Sequence, residues 1–114
     1  IYRVPERVDE ELIETFAVPP CDRGAARTLG YLVRSRTAPN FSPSVKTMLS
    51  QLTMPALLIW GQEDRVIPVS QAKDLAHLSP NLDLQIVPHG GHCLYDEHPE
   101  VFNELLLNWI HSCT

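Results

Sequence analysis

Apolar residues in the second half of the chain fall into two short runs that predict strands. Residues 56–60 form a continuous apolar run bounded by a proline and a glycine, a pattern typical of a strand buried on both faces in a parallel sheet. Residues 82–87 alternate apolar and polar side chains, which predicts a strand with one solvent-facing side near the sheet edge. Helical periodicity follows each strand, from about Ser70 to Leu78 and from Pro99 onward with His98 as its cap. This order predicts an α/β fold.

The first half of the chain has helical periodicity and no strand pattern. Asp9 is expected to cap a first helix, which two prolines end, and Asp22 to cap a second. A loop is predicted over residues 36–41, after which Ser42 caps a third helix that begins at Pro43. The side chains expected on the inner faces of these helices are Leu12, Ile13, Phe16, Ala17, Ala25, Ala26, Leu29, Leu32, Val33, Val45, Met48, Leu49 and Leu52.

Composition and charge restrict the classes of partner. The chain has 114 residues, is 44% apolar and 20% charged, and resembles an ordinary soluble globular domain. Its net charge of −5 is uneven, since residues 1–52 hold 7 basic and 6 acidic side chains and residues 53–114 hold 2 and 8. A nucleic-acid surface needs clustered Lys and Arg, so no nucleic-acid partner is expected. No apolar run reaches the roughly 18 residues of a membrane span, and no signal-peptide pattern is present.

Cysteine usage indicates the compartment. The three cysteines, Cys21, Cys93 and Cys113, are odd in number and lack the spacing of a metal site. We interpret them as reduced thiols, which favours a cytoplasmic location over an oxidising one.

An acid and a histidine directly follow the two predicted strands. Sites in open α/β sheets are built on the loops beyond the carboxyl ends of the strands, so Asp64 and His92 are expected to meet there. In a catalytic pair Asp64 would orient the imidazole and His92 would act as the general base. Each residue alone also fits a structural explanation, as a turn cap and as a solvated loop histidine. Gly90 and Gly91 are expected to permit backbone angles that put His92 at the loop tip, close to other chain segments, although they also fit any tight loop.

Other side chains near this pair allow competing interpretations. His89 and His92 are spaced H-x-x-H, but two glycines preclude a helix and no third ligand is apparent, so neither a metal nor an organic cofactor is expected. The remaining neighbours are given structural roles: Cys93 as a small packed residue, Glu63 as an acid that points away from His92, Arg65 as a solvated loop residue, and Trp60 as a buried aromatic rather than a pocket wall.

The spacing of these residues resembles the C-terminal part of an α/β-hydrolase fold protein. The resemblance covers residues 53–111 and lies in the motif Pro55-Ala-Leu-Leu-Ile-Trp-Gly61-x-x-Asp64-x-x-x-Pro68, then Gly91-His92, then Pro99-x-x-Phe102. It implies a fold class of α/β, with two parallel strands and flanking helices preceded by helical cap segments. It also implies two domains, with residues 1–52 as the helical end of a cap (lid) region and residues 53–114 as the C-terminal part of the core. Asp64 would be the triad acid after the seventh strand and His92 the triad base after the eighth.

The resemblance departs from the family pattern at the nucleophile. Family members carry it in a G-x-S-x-G-like elbow that precedes both the acid and the base. None of the serines here has that setting. Six strands and the oxyanion-hole loop are therefore expected upstream, which would make the chain a fragment that supplies two of three catalytic side chains and is inactive alone. Its expected partners are a small-molecule substrate and the missing N-terminal half of the same fold.

Three functions remain open at this point. The first is an esterase-like or epoxide-hydrolase-like enzyme, since the opening segment resembles capped hydrolases of the epoxide-hydrolase and pheophytinase-like branches. Its nucleophile would be Ser for esters, amides or C–C bonds, Asp for epoxides or haloalkanes, or else Cys. The second is a non-catalytic ligand- or protein-binding domain on the same fold. The third is a complete small protein of unrelated purpose.

Overall fold

The computed structural model describes residues 1–38 and 43–113. Their elements, in chain order, are α1 (Glu10–Ala17), α2 (Ala25–Arg36), α3 (Val45–Ser50), β1 (Ala56–Gly61), α4 (Val69–Ala76), β2 (Leu82–Val87), α5 (Leu94–Glu97) and α6 (Pro99–Ser112), with 3-10 turns at Pro5–Arg7 and Pro19–Cys21. These residues form two compact units. The core unit contains the described residues of Ile1–Arg7 and Val45–Thr114, and the helical unit contains those of Val8–Ser44.

This division into units differs from the two predicted domains, which meet between residues 52 and 53. Residues 1–7 and α3 belong to the core unit, so the chain leaves this unit after Arg7 and returns to it at Val45. The helical unit is therefore an insertion in the sequence of the core unit. Its assignment to a cap region stays a prediction.

The two predicted strands are confirmed and pair in parallel. Their register runs from Ala56 opposite Leu82 to Gly61 opposite Val87, so both strands end at the same edge of the sheet. The expectation that β1 is buried on both faces is wrong for the described residues, because only Gly61 of its six residues is buried and the others are half-buried. The physical reason is that the sheet has two strands in this part of the chain, and the helices that pack on β1 are α4 and α6.

Four of the six most buried residues with side chains lie at or just beyond the end of β2, and the other two, Ala72 and Ser79, lie in and after α4. The buried apolar residues are Ala72, Val87, Cys93 and Leu94, and the two buried polar residues are Ser79 and Glu97. Burial of Cys93 at 7% exposure confirms its interpretation as a packed residue. The core therefore lies next to the loop that carries His92.

Helix boundaries in the core unit agree partly with the prediction. α6 begins at Pro99 with His98 at the N-cap, as predicted, and α4 lies within one or two residues of its predicted limits. α3 begins at Val45 rather than Pro43, which is not helical. The predicted cap Ser42 and half of the predicted loop, residues 39–41 of 36–41, lie outside the described residues, and Arg36 is the last residue of α2.

The helical unit confirms one predicted cap and corrects the other. Asp9 caps α1, because its Oδ1 accepts a hydrogen bond of 2.8 Å from Leu12 N. The cap assigned to Asp22 is wrong: α2 has Gly24 at its N-cap, with φ of 93°, and no side-chain cap. A residue without Cβ adopts this left-handed conformation at low cost, so the turn is made by the glycine rather than by an Asp side chain.

The faces of α1 and α2 that were expected to point inward are largely exposed. Ile13 and Phe16 of α1 are 54% and 60% exposed, and Leu29, Leu32 and Val33 of α2 are 50–62% exposed. Apolar periodicity therefore predicted the helices correctly but not their burial within this part of the chain.

Candidate active site

Backbone hydrogen bonds join the loop after β1 to the loop after β2. Gln62 N donates to Val87 O at 3.0 Å, and Glu63 N donates to Gly90 O at 2.9 Å. These bonds continue the pairing of the parallel strands past their ends, and they hold the two loops side by side. The chain segments that carry Asp64 and His92 are therefore adjacent before any side-chain contact is considered.

The Asp64 carboxylate uses both oxygens. Oδ1 accepts hydrogen bonds from Val66 N at 2.8 Å and from Ile67 N at 2.9 Å, which fixes the turn that follows β1. Oδ2 lies 2.9 Å from Nδ1 of His92. Asp64 is thus a turn cap and the partner of the histidine at once, and the two explanations considered for it are compatible.

Burial and hydrogen bonding act in opposite directions on this carboxylate. The Asp64 side chain is 5% exposed, and this burial pushes its pKa upward. The hydrogen bonds from His92, Ile67 and Val66 stabilise the charged form and outweigh burial, so the pKa of Asp64 lies below its ordinary value. The residue is therefore a carboxylate at neutral pH, able to accept the Nδ1 proton of the imidazole.

The His92 ring is held from one side and open on the other. Nδ1 faces Asp64, and the backbone N of His92 donates to Ile1 O at 3.1 Å. The side chain is 36% exposed. Beside it lies a cavity of about 130 Å³ that Trp60, Asp64, His92 and Leu94 help to line. With Nδ1 committed to the carboxylate, Nε2 is the nitrogen that remains for proton transfer.

The glycines around His92 serve close packing rather than unusual backbone angles. Within the described residues, positive φ occurs at Gly24 and at His89, so the expectation of such angles at Gly90 and Gly91 is wrong. A Cβ on Gly61 would overlap the carbonyl groups of Gly90 and Gly91, and a Cβ on Gly91 would overlap the Glu97 carboxylate. The two loops approach each other within backbone contact, which leaves no room for side chains.

The acid next to Asp64 forms a separate cluster. Glu63 Oε1 lies 2.9 Å from Nδ1 of His89, and Oε2 accepts from Arg3 Nε, so Glu63 points away from His92 as predicted. The hydrogen bonds from Arg3 and His89 lower the pKa of Glu63. His89 has φ of 58°, a left-handed conformation that is uncommon for a residue with a Cβ. The two histidines of the H-x-x-H spacing thus have different acidic partners.

The remaining neighbours follow from their surroundings. Arg65 is exposed, in line with its interpretation as a solvated residue. Trp60 is half-buried, donates from Nε1 to Ile67 O at 3.1 Å, and also contributes to the wall of the cavity. Over residues 1–38 and 43–113, no group of three or more His, Cys, Asp or Glu side chains has the arrangement of a metal site.

Sequence reasoning missed the contribution of the N-terminal residues and of Glu97. Glu97 Oε2 accepts hydrogen bonds of 3.0 Å from both Arg3 N and Gly91 N. Tyr2 Oη donates to Asp96 Oδ2 at 2.6 Å, and burial together with this bond raises the pKa of Tyr2. The only sequence signal is that Glu97 follows His92 by five positions, close enough for a single helical turn to fold its side chain back onto the loop. The pairing with residues 1–3 has no local signal.

The site thus has an acid after one parallel strand and a histidine after the neighbouring strand. A family model for the alpha/beta hydrolase fold matches residues 23–99. The chain belongs to the α/β-hydrolase family. None of the helices in the described residues is long and apolar enough to cross a lipid bilayer.

Several hydrolases are similar to this α/β-hydrolase chain. An uncharacterised hydrolase, YugF, of Bacillus subtilis (strain 168) is 32% identical over 103 residues, which are 90% of this chain and 36% of that protein. A 2-hydroxy-6-oxononadienedioate/2-hydroxy-6-oxononatrienedioate hydrolase of Paraburkholderia phymatum is 35% identical over 104 residues, 89% of this chain and 35% of that protein. The chain thus spans about a third of the length of these relatives.

Solved structures give the same family. The crystal structure of a serine hydrolase involved in carbazole degradation, the CarC enzyme, matches with a TM-score of 0.72 and 25% identity, over 91% of this chain and 40% of that one. MGS-MChE2, an α/β hydrolase from the metagenome of lagoon sediments at Mar Chica, Morocco, matches with a TM-score of 0.65 and 29% identity, over 90% of this chain and 43% of that one. The prediction of an α/β-hydrolase fold is confirmed.

Proposed function

We propose that the full-length protein containing this chain is a hydrolase of small molecules in which Asp64 and His92 are the acid and the base of a catalytic triad. The observation that carries the proposal is the 2.9 Å contact between His92 Nδ1 and a carboxylate whose side chain is 5% exposed. A buried charged acceptor at Nδ1 keeps the proton on that nitrogen and leaves Nε2 free to accept one.

The proposed roles follow the general logic of a triad. The nucleophile comes from another segment of the full-length protein, and His92 Nε2 takes its proton as it attacks the substrate carbonyl. The protonated imidazole then delivers this proton to the leaving group, and Asp64 stabilises the imidazolium while that charge exists. In the second half of the reaction, His92 removes a proton from water, which attacks the acyl intermediate, and the imidazolium then returns this proton to the nucleophile as the product acid leaves.

The relatives favour serine as the nucleophile and oxo acids as the first substrates to test. One solved relative is described as a serine hydrolase, and several sequence relatives are named for hydrolysis of 2-hydroxy-6-oxo-dienedioates. We therefore propose a serine hydrolase that acts on a small carbonyl compound. We also propose that, of residues 1–52, those of the helical unit belong to a cap region, which is compatible with their insertion in the sequence of the core unit.

Substitution of the histidine tests the proposal. In the full-length protein, His92→Ala is expected to reduce hydrolysis of a chromogenic ester and of a 2-hydroxy-6-oxo-dienedioate by at least about 10³-fold while the protein stays folded. His77→Ala, at an exposed histidine after α4, is the matched control and is expected to retain activity. Full turnover by the His92→Ala protein would refute the role proposed for His92, and an unmodified full-length protein without hydrolytic activity would leave a non-catalytic binding function on the same fold.

A further inference from the structure

A buried glutamate holds the backbone of the loop that carries His92. Glu97 is 1% exposed, the lowest exposure of any charged side chain in the described residues. Its Oε2 accepts from Gly91 N and from Arg3 N, each at 3.0 Å. Gly91 directly precedes His92, so one of these bonds fixes the Gly90–Gly91 peptide, one peptide unit before the histidine.

The two bonds belong to a closed ring of contacts. Glu97 accepts a hydrogen bond from Gly91 N. The next amide along the chain is that of His92, and it donates to Ile1 O at 3.1 Å. The segment that begins at Ile1 continues to Arg3, whose N donates to Glu97 and closes the ring. Consecutive amides on the N-terminal side of the His92 ring are therefore both occupied. Neither bond involves the imidazole or the catalytic carboxylate.

The same N-terminal residues also reach the loop that carries the acid. Arg3 Nε donates to Glu63 Oε2, and Glu63 directly precedes Asp64. Tyr2 Oη donates to Asp96 Oδ2 at 2.6 Å, which ties this segment to α5 as well. Through one short stretch of chain, the contacts of Glu97 thus link the acid loop and the histidine loop.

The two oxygens of this acid differ in their contacts. Oε1 of Glu97 is buried without a hydrogen-bond partner in the described part of the chain, and a Cβ on residue 91 would overlap it. A buried polar atom without a partner is unfavourable, and an apolar side chain of similar volume would avoid it. A buried carboxylate here is therefore a poor choice for packing alone, and its value lies in holding two amides at once.

We propose that Glu97 is a positioning residue that fixes the Gly91–His92 backbone, and with it the imidazole, for proton transfer. The proposal rests on the proposed function of His92. Its mechanism is geometric: the position of the carboxylate matters and its charge does not, since an amide oxygen at the same place accepts the same N–H groups. A displacement of about 1 Å at a reacting group costs as much as 10²-fold in rate.

Two conservative variants of the full-length protein separate position from charge. Glu97→Gln keeps the length and an acceptor oxygen, and it is expected to retain kcat within about threefold. Glu97→Asp keeps the charge but withdraws the oxygens by one methylene, and it is expected to lower kcat by about 10- to 100-fold with little change in KM. Glu104→Asp, at an exposed glutamate of α6, is the matched control and is expected to have no effect. Rates are normalised to the concentration of active sites.

The opposite pattern, with Glu97→Asp active and Glu97→Gln impaired, would overturn the geometric mechanism, and so would equal kcat values for all variants.

A second measurement does not depend on any variant. Hydrogen exchange of the unmodified protein is expected to show the Gly91 and His92 amides among its slowly exchanging groups, and rapid exchange at both would contradict the proposal even if Glu97→Asp failed to fold. If His92→Ala abolishes turnover while Glu97→Asp keeps it, this inference fails and the proposed function stands. If both keep it, the proposed function itself fails.

Discussion

Replacement of Asp64 by asparagine tests the tautomer that this residue imposes on His92. Oδ1 of Asp64 accepts from two backbone N–H groups, those of Val66 and Ile67. In the variant, the amide oxygen is expected to keep these two bonds, because an NH₂ group cannot accept them. The NH₂ group then faces His92 Nδ1, which must become an acceptor. The ring proton is thereby moved to Nε2, the nitrogen that has to take the proton of the nucleophile.

The expected loss in kcat is large because the variant holds the wrong tautomer rather than a merely weakened pair. In a serine protease triad, an Asp-to-Asn change that reverses the same tautomer lowers kcat by about 10⁴. Here a loss of about 10³- to 10⁴-fold is expected, which corresponds to about 4–5 kcal/mol of transition-state stabilisation. Stability should change little in comparison, since the bonds to Val66 and Ile67 are retained.

The assay is ester hydrolysis by the full-length protein, with ¹⁵N NMR of the imidazole as a direct test of the tautomer. The parent is expected to carry its proton on Nδ1 and the Asp64→Asn protein on Nε2. Asp74→Asn, at an exposed aspartate of α4, is the matched control. If the Asp64→Asn protein works within tenfold of the parent, or if its imidazole keeps the parent tautomer, the reasoning is wrong.

Two further predictions concern stability. Gly61→Ala places a Cβ against the Gly90 and Gly91 carbonyl groups and is expected to destabilise the protein by about 1–3 kcal/mol in urea unfolding. The control is Gly30→Ala in α2, where the added Cβ meets nothing within 4 Å, and it should stabilise the protein by about 0.5–1 kcal/mol. Equal effects of the two substitutions would contradict the close approach of the two loops. Because the folded-state pKa of Asp64 is depressed, the unfolded chain binds more protons, so this residue contributes stability that is fully present above about pH 4 and is lost as the pH falls further. Unfolding free energies measured between pH 2 and 7 should therefore decline less steeply in acid for Asp64→Asn than for the parent, and parallel curves would exclude the depressed pKa.

Local patterns in the sequence predicted the elements and the pairing of the site loops. A continuous apolar run between a proline and a glycine identified β1, and alternation identified β2. The rule that sites form beyond the carboxyl ends of parallel strands then brought Asp64 and His92 to one edge, where their side chains are 2.9 Å apart. These inferences succeed because strand direction and side-chain chemistry are both encoded over a few neighbouring residues.

Local sequence patterns could not predict contacts between residues that are far apart in the chain. The partners of Glu97 include Arg3, 94 positions away, and no periodicity connects the two. The reason for Gly90 and Gly91 was also misjudged, since the constraint is the close approach of the Leu94 and Glu97 side chains rather than the glycine's own φ. Asp22 was a plausible cap by residue type, yet Gly24 makes the turn two residues later. The first two cases depend on tertiary contacts, whereas the turn at Gly24 is local and depends on a left-handed backbone conformation.

The interruption of the core unit between Arg7 and Val45 has an evolutionary consequence. Among the described residues, the contacts that hold the His92 loop and its Asp64 partner come from residues 1–3, 61–67 and 89–97, outside the interruption. Mutation, lengthening or exchange of the inserted helices can therefore diversify one part of the gene while the proposed catalytic pair is inherited intact. Chimeras joined at these two points are a natural route to altered selectivity.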